Sequence, residues 1–405
     1  MAMATIAHTV PDHVPIERVI DIDVYNPAPD QDDPTEVWKS LHQRDEGLLW
    51  TTGNEGHWIA TRGSTITAIL TDHESFSSNV LMVPRERGLS NLLPTAADPP
   101  QHRPFRMVIQ KAFTPAAVRG LEAGIRDLCR ELIARIKPRG EADFMEHFAS
   151  QLPTAVFLRL ADLPLSDFGL LYKWMEWVMR PDGSVDQVEV MSSFADYLRP
   201  ILQQRKASPG TDVLSAIATA DIDGRPITED EAVNMATTLV LGGLDTVAAL
   251  MSFSWNYLAR DPELQRRLAA NPERIRDAVE EFSRRFPVGT NTRLTARDTE
   301  IDGVTIKAGD LVTTPQILHA LDEREYPDPL RFDIDRQTGG YSSFGHGVHR
   351  CPGSFLGKTE LRIALEEWLA AIPEFHIPEG ARVKVIPGVT AGIFHLPLAW
   401  PVDAA

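Results

Sequence analysis

One cysteine of this chain stands where it could do chemistry. Cys351 closes a glycine-rich loop, Phe344-Gly345-His346-Gly347-Val348-His349-Arg350-Cys351-Pro352-Gly353, and a helical pattern from Ser354 to Ala371 follows at once. A thiolate is a soft metal ligand. A cysteine just ahead of a helix meets backbone N–H donors and the positive end of the helix dipole, and both lower its pKa. The glycines let the backbone come close to something flat and bulky. A buried structural cysteine beside a glycine turn is the plain alternative.

Three further constellations carry charge or hydroxyl chemistry. Gly242-Gly243-Leu244-Asp245-Thr246 sets an acid and an alcohol beside two glycines within a long apolar helical pattern. Adjacent glycines inside a helix cost about 1 kcal/mol each relative to alanine. A sequence tolerates that for close packing, a kink or the approach of another group. Glu281 and Arg284 stand three apart, so a carboxylate and a guanidinium share one helix face. His102 and Arg106, four apart, also face the same way. Taken singly, these read as helix packing, a solvated ion pair and a surface histidine.

The elements that must position these groups are legible. The Asp245 helix opens with a capping box, Thr228 with Glu231, and runs to about Ala259. That is roughly 30 residues and ~45 Å at the usual rise. The Glu281 helix spans about Pro272 to Phe286 and is stopped by Pro287. Thr114 as N-cap and Pro115 at the first helical position open an apolar-periodic helix that takes Cys129 into the core. Helices fill most of residues 101–285. The segments 48–52 and 56–61 read as strands of a small sheet, and 76–100 as a loop. Ile301-Asp302-Gly303-Val304 reads as a hairpin turn. The C-terminal residues are strand-like, with a turn at Pro387-Gly388.

The cysteine loop matches the haem-binding loop of cytochromes P450, F-G-x-G-x-H-x-C-x-G, at every fixed position. The other motifs follow in the order of that family. The resemblance implies a mainly α fold, the cytochrome P450 fold, with small β-sheet regions and residues 1–405 as a single domain. Haem b (iron protoporphyrin IX) would lie between the long distal helix, at Gly242, and the helix after the cysteine loop. Phe344 and Cys351 would flank it, with the thiolate as the iron ligand that favours O–O cleavage. Asp245 and Thr246 would handle protons, and Arg180, on Arg180-Pro181-Asp182-Gly183-Ser184, would pair with Asp245. His102, Arg106, Arg293 and His349 would meet the haem propionates. Glu281 and Arg284 would lock structurally onto Arg336 in the segment 326–336.

Several stretches resemble the bacterial camphor 5-monooxygenase subfamily in particular. They include Asp21-Ile22-Asp23-Val24-Tyr25-Asn26-Pro27, His57-Trp58-Ile59-Ala60-Thr61-Arg62-Gly63 and Leu321-Asp322-Glu323-Arg324-Glu325. That resemblance implies a monooxygenase that hydroxylates a small terpenoid with O2. Its electrons would come from a [2Fe-2S] ferredoxin and a separate NADH-dependent ferredoxin reductase. The substrate pocket it implies comprises Met82, Ser90, Asn91, Thr238, Leu241, Gly289, Asn291, Val389 and Thr390. The departures fall there. The subfamily's substrate-binding tyrosine has no counterpart in the segment 85–94, and Gly289 stands where a valine is usual. Losing a phenol removes one hydrogen bond, worth about 0.5–1.5 kcal/mol. A roomier pocket follows, and an ionone-type norisoprenoid is expected over camphor.

Two other readings use the same residues: an H2O2-driven peroxygenase of the same fold, and a non-catalytic haem binder or gas sensor. Peroxygenases of this fold replace the acid–alcohol pair with Arg-Pro, so Asp245-Thr246 favours the monooxygenase. The formal charge of −17 argues against nucleic acid and anionic membranes as partners. Two cysteines make no disulfide framework, and the N-terminal residues up to Pro29 carry no apolar run of signal or membrane length. A cytoplasmic place is expected. Arg103, Arg350, Lys358 and Arg362 would offer an acidic ferredoxin a basic face on the cysteine side.

Overall fold

Caps and apolar stripes set the helices, and the computed structural model describes residues 10–85, 91–180 and 184–402. Thr114 accepts from the Ala117 N–H, and the helix it caps, Pro115–Ile136, buries Cys129 completely. The capping box forms in full: Glu231 N–H donates to Thr228 Oγ1, and the Glu231 carboxylate accepts from Thr228 N–H. The hairpin turn Asp302-Gly303 takes φ values of 54° and 73°, the two left-handed residues that a type I′ turn needs.

The long apolar helix is not continuous. It runs as Glu229–Leu244 and Thr246–Leu258, with Asp245 between them at φ −113° and ψ −46°. The cause is local. Thr246 Oγ1 donates to the Gly242 carbonyl at 3.2 Å, the oxygen that the Thr246 backbone N–H would take in an unbroken helix. A hydroxyl that competes in this way bends a helix. The two halves enter different cores. Residues up to Leu244 pack with one hydrophobic cluster, and residues from Ala248 pack with the other. The pair together is long and apolar enough to cross a membrane, yet two-thirds of its most apolar stretch is buried inside the protein, as suits a core helix.

A six-stranded mixed sheet lies beside this helical body. Its order is Val19–Ile20, Leu48–Thr51, His57–Ala60, Leu311–Pro315, Thr290–Thr295 and Phe76–Ser77. The antiparallel pair Leu311–Pro315 and Thr290–Thr295 fixes the register Val312–Arg293, Thr314–Asn291 and Pro315–Thr290. Side chains alternate across a strand. Gly289, Asn291 and Arg293 share one face and line the central cavity, which Val288 and Thr290 also reach.

The glycine pair has two separate reasons. An alanine methyl at Gly243 would fall 2.4 Å from the Phe157 ring, so this glycine allows the helix Gln151–Leu160 to pack closely. A methyl at Gly242 would meet nothing within 4 Å, because this residue opens onto the cavity. In the cysteine loop Gly347 takes φ +65°, and a Cβ there would sit 2.8 Å from the Leu70 carbonyl oxygen. The loop is thus pressed against the helix Gly63–Thr71.

Glu281, Arg284 and Arg336 meet in the interior. Arg284 donates to both Glu281 oxygens at 2.8 Å, and to the carbonyls of Ala320 and Pro329. Arg336 adds Nε to Glu281 Oε1 at 3.3 Å and caps the carbonyls of Pro327 and Asp328. Glu281 and Arg284 have no exposed side-chain surface. From neighbouring positions of that helix, the Ser283 carbonyl accepts from Ser343 and Glu280 from Tyr341, so the same helix anchors the start of the cysteine loop.

Gly243→Ala is expected to lower the unfolding free energy by about 1–3 kcal/mol, the usual cost of overpacking. Gly242→Ala, which meets no neighbour, should leave it unchanged or slightly raised. Urea titrations of the two variants beside the wild type check the contrast.

Candidate active site

A cavity of about 330 Å³ opens between the broken helix and the cysteine loop. Gly242, Gly243, Thr246 and Val247 line it from one side, and Phe344, Gly345, His349, Cys351, Gly353 and Leu356 from another. Cys351 is deep yet accessible. Protein surrounds it on most sides, while the cavity in front leaves its surface open.

The loop is built around the sulfur. Cys351 N–H donates to the Phe344 carbonyl at 2.8 Å, and the Gly353 and Ser354 N–H groups bond the sulfur. Those donors and the Arg106 charge favour the thiolate, as expected from the sequence. Burial is the larger effect, and it pushes the thiol pKa up. The expected lowering is corrected accordingly: the loop alone does not ionise Cys351. A coordinated metal cation would do so outright. Among the described residues, no three histidine, cysteine or carboxylate side chains converge as a metal site. A metal held by Cys351 would bring its other ligands with it in a bound group.

The cavity edge fits the acidic side chains of such a group. Arg293 is buried, with Nη1 on the Thr292 carbonyl at 2.8 Å, and burial lowers its pKa to about 10. The His102 and His349 rings lie 4.4 Å apart, edge to face. Each has a buried Nε2 without a partner. Burial first, then the neighbouring cations, lower their pKa values to about 4 and about 3. Arg106 donates to the Arg350 carbonyl, tying its helix to the cysteine loop. His73, which the sequence did not single out, stands close enough to act on both rings. Cations and orphaned donors gathered without an anion are costly. The two propionates of haem would satisfy them, so these residues fit the group.

Asp245 and Thr246 face different ways. Thr246 lines the cavity, whereas Asp245 is fully buried and turned from it. Arg180 grips the Asp245 carboxylate with two hydrogen bonds, Nη2–Oδ1 at 2.7 Å and Nη1–Oδ2 at 2.9 Å. It also donates to the Thr390 carbonyl at 3.2 Å and lies 3.9 Å over the Phe394 ring. Burial disfavours the Arg180 charge, but the Asp245 bonds outweigh it and its pKa is raised. Tyr172 and Glu176, on the helix Phe168–Met179 that ends at Arg180, complete this charged cluster.

The substrate positions divide. Gly289, Asn291, Val389 and Thr390 line the cavity. Met82, Asn91, Thr238 and Leu241 are not on its lining. Met82 and Leu241 pack into the apolar core, Thr238 bonds the Asn234 carbonyl one turn back, and Asn91 is exposed. Ser90 lies outside the described residues. Leu81 and Thr95 line the cavity from this segment instead. The resemblance placed Met82 on the lining; one residue away Leu81 turns inward, and Met82 packs into the core.

The expected basic face is thinner than its sequence. Lys358 is held by Glu280 at 2.8 Å, and Arg362 by Glu122 and Glu366, each at 2.8 Å. Arg103 and Arg350 remain exposed, near the exposed apolar side chains Val348 and Phe355.

Glu360 was also missed. It lines the cavity from the helix Ser354–Ala371, is 2% exposed, and its Oε2 has no partner. Burial pushes its pKa up to about 8. A carboxyl raised in the fold keeps its proton there after the unfolded chain has lost it. Stability from that proton is full below the ordinary value and is lost as pH rises toward 8. Glu360→Gln should therefore be more stable than wild type at pH 8.5 by up to a few kcal/mol, with the gap closing by pH 5. Paired urea titrations of the haem-loaded proteins at both pH values check this.

The comparisons agree with this geometry. The sequence matches the cytochrome P450 family over residues 159–372. The crystal structure of CYP101J2 superposes with a TM-score of 0.90 at 38% identity, over 97% of this chain and all of that one. CYP101C1 gives the same TM-score at 37% identity, with equal coverage. The probable cytochrome P450 127A1 of Sinorhizobium fredii is 31% identical over 402 residues, 96% of this chain and 97% of that relative. Erythromycin C-12 hydroxylase of Saccharopolyspora erythraea is 33% identical over 85% of this chain and 89% of its own. The chain belongs to the cytochrome P450 family as a bacterial haem b monooxygenase close to the camphor 5-monooxygenase subfamily.

Proposed function

We propose that this enzyme hydroxylates a compact terpenoid, an ionone-type norisoprenoid in preference to camphor. Its electrons come from a [2Fe-2S] ferredoxin served by an NADH-dependent reductase, and it works in the cytoplasm. The observation that carries the reading is one cavity bordered by three things: an accessible cysteine sulfur, a cationic edge, and a threonine hydroxyl at a broken helix. The walls are mostly apolar, with Leu81, Leu250 and Val389 among them, which suits a hydrocarbon skeleton. The absent tyrosine and the glycine at 289 argue against a pocket cut for camphor.

Haem, when bound, supplies the binding and activation of O2. The chain supplies the rest. Cys351 would hold the metal through its thiolate, and the Gly353 and Ser354 N–H groups bond the sulfur. His102, Arg106, Arg293 and His349 would hold the propionates. Thr246 gives its own proton to the Gly242 carbonyl, so its lone pairs are left to accept from a ligand or water in the cavity. Asp245 stands at the break and turns the other way, gripped by Arg180, and in this reading it relays protons toward that point. Arg103 and Arg350 are the exposed cations left to meet an acidic ferredoxin, with Val348 and Phe355 as apolar contacts.

Thr246→Ala is expected to keep the substrate-induced spin shift of the haem while most consumed NADH appears as hydrogen peroxide. Peroxide and product yields measured together check it; full coupling in the variant would remove Thr246 from the proton path. A screen of terpenoids for the low-to-high spin shift tests the substrate reading. Ionone-type ketones should give the more complete shift at the lower concentration, and camphor a weak one. A camphor shift as complete and as tight would overturn the preference.

A further inference from the structure

We infer that the Gln316 carboxamide orients the substrate by donating a hydrogen bond to a ketone oxygen. The inference rests on the terpenoid reading of the cavity and names its polar contact. Gln316 follows the strand Leu311–Pro315 directly, and its backbone N–H donates to the Gly289 carbonyl at 3.2 Å. Its side chain lines the cavity, the residue is 6% exposed, and Oε1 has no hydrogen-bond partner. A buried carboxamide left unpaired is costly unless a ligand or water completes it.

Gly289 is what admits this group. A Cβ at 289 would lie 3.3 Å from Gln316 Oε1 and 3.6 Å from its carboxamide carbon. A branched side chain there would push the amide away. The space expected from the glycine is therefore not simply open; part of it is lined by an amide. A carboxamide offers two N–H donors and one acceptor on a nearly symmetric fork, so turned over it sets an N–H donor for a ketone oxygen where the unpaired Oε1, an acceptor, now stands.

The propionate edge is not the partner of this amide. Gly289 stands level with Thr390 through a β-bridge, four residues along the strand from Arg293. At the usual rise that is roughly 13 Å. Gln316 thus serves the end of the cavity lined by Val389 and Thr390, away from the cations. An apolar substrate bearing one carbonyl would bury its skeleton against the walls and place its oxygen on this amide. Which C–H bond faces the reacting centre then follows from the distance between that oxygen and the carbon.

The test compares an ionone-type ketone with its deoxygenated hydrocarbon analogue on the haem-loaded enzyme, read by spin-shift titration and by product distribution. Gln316→Leu removes the amide at similar size. It should bind the ketone about three- to ten-fold more weakly, a range set by one neutral hydrogen bond. It should bind the hydrocarbon within two-fold of wild type and hydroxylate the ketone at more positions. Gly289→Ala, which crowds the amide without replacing it, should show the same ketone-selective loss and guards against a leucine variant that folds poorly. If wild type responds to both compounds and neither variant weakens the ketone selectively, the role of Gln316 falls and the terpenoid reading stands. If wild type responds to neither compound, the terpenoid reading falls and this inference falls with it.

Discussion

The competition for one carbonyl oxygen, that of Gly242, organises the site. The Thr246 hydroxyl takes it at 3.2 Å, the helix breaks at Asp245, and acid and alcohol part company. Without the break, Asp245 and Thr246 would be successive residues on a regular helix, about 100° apart around its axis. With it, the alcohol looks into the cavity and the acid looks away toward Arg180. The proton role proposed for this pair depends on that separation. The break also falls between the two apolar cores, so the hinge of the helix coincides with the seam of the packing.

Two buried ion pairs flank this arrangement and do different work. Glu281, Arg284 and Arg336 form a closed network, in which the two acid oxygens and most guanidinium donors are used within the protein. Removing one member leaves a buried charge, at a cost of about 3–5 kcal/mol. Such a network fixes position: it joins the Glu281 helix to the segment before the cysteine loop. The Asp245–Arg180 pair is more open, for the Arg180 side chain is 10% exposed and Glu176 and Tyr172 stand beside it.

The cavity itself shows how burial and function pull against each other. The sulfur, the Glu360 carboxyl, and the rings of His102 and His349 are all driven toward neutral forms by desolvation. Arg293 keeps its charge at the edge. This pattern favours a ligand that brings its own charges: a metal cation before the sulfur, and carboxylates before the histidines and Arg293. The protein provides a shaped and largely apolar space, and the group that fills it provides the charge.

Much of this was legible in the sequence. Local signals fixed the capping box, the Asp-Gly hairpin, the helix after the cysteine loop and the burial of Cys129, because each depends on residues a few positions apart. The cysteine loop was legible for the same reason: a contiguous motif keeps its geometry wherever it is placed. The Asp245-Thr246 pair was legible as a motif, but the break that parts its two side chains was not. The tertiary structure decided what depends on which side chain turns inward. It chose Leu81 over Met82, left Thr238 on its own helix, and tied Lys358 and Arg362 to glutamates rather than leaving them free. It also set Gln316 beside Gly289, 27 positions earlier. No pattern within either segment predicts that meeting, because it is the antiparallel register of two strands that brings a missing side chain and a spare amide into one place.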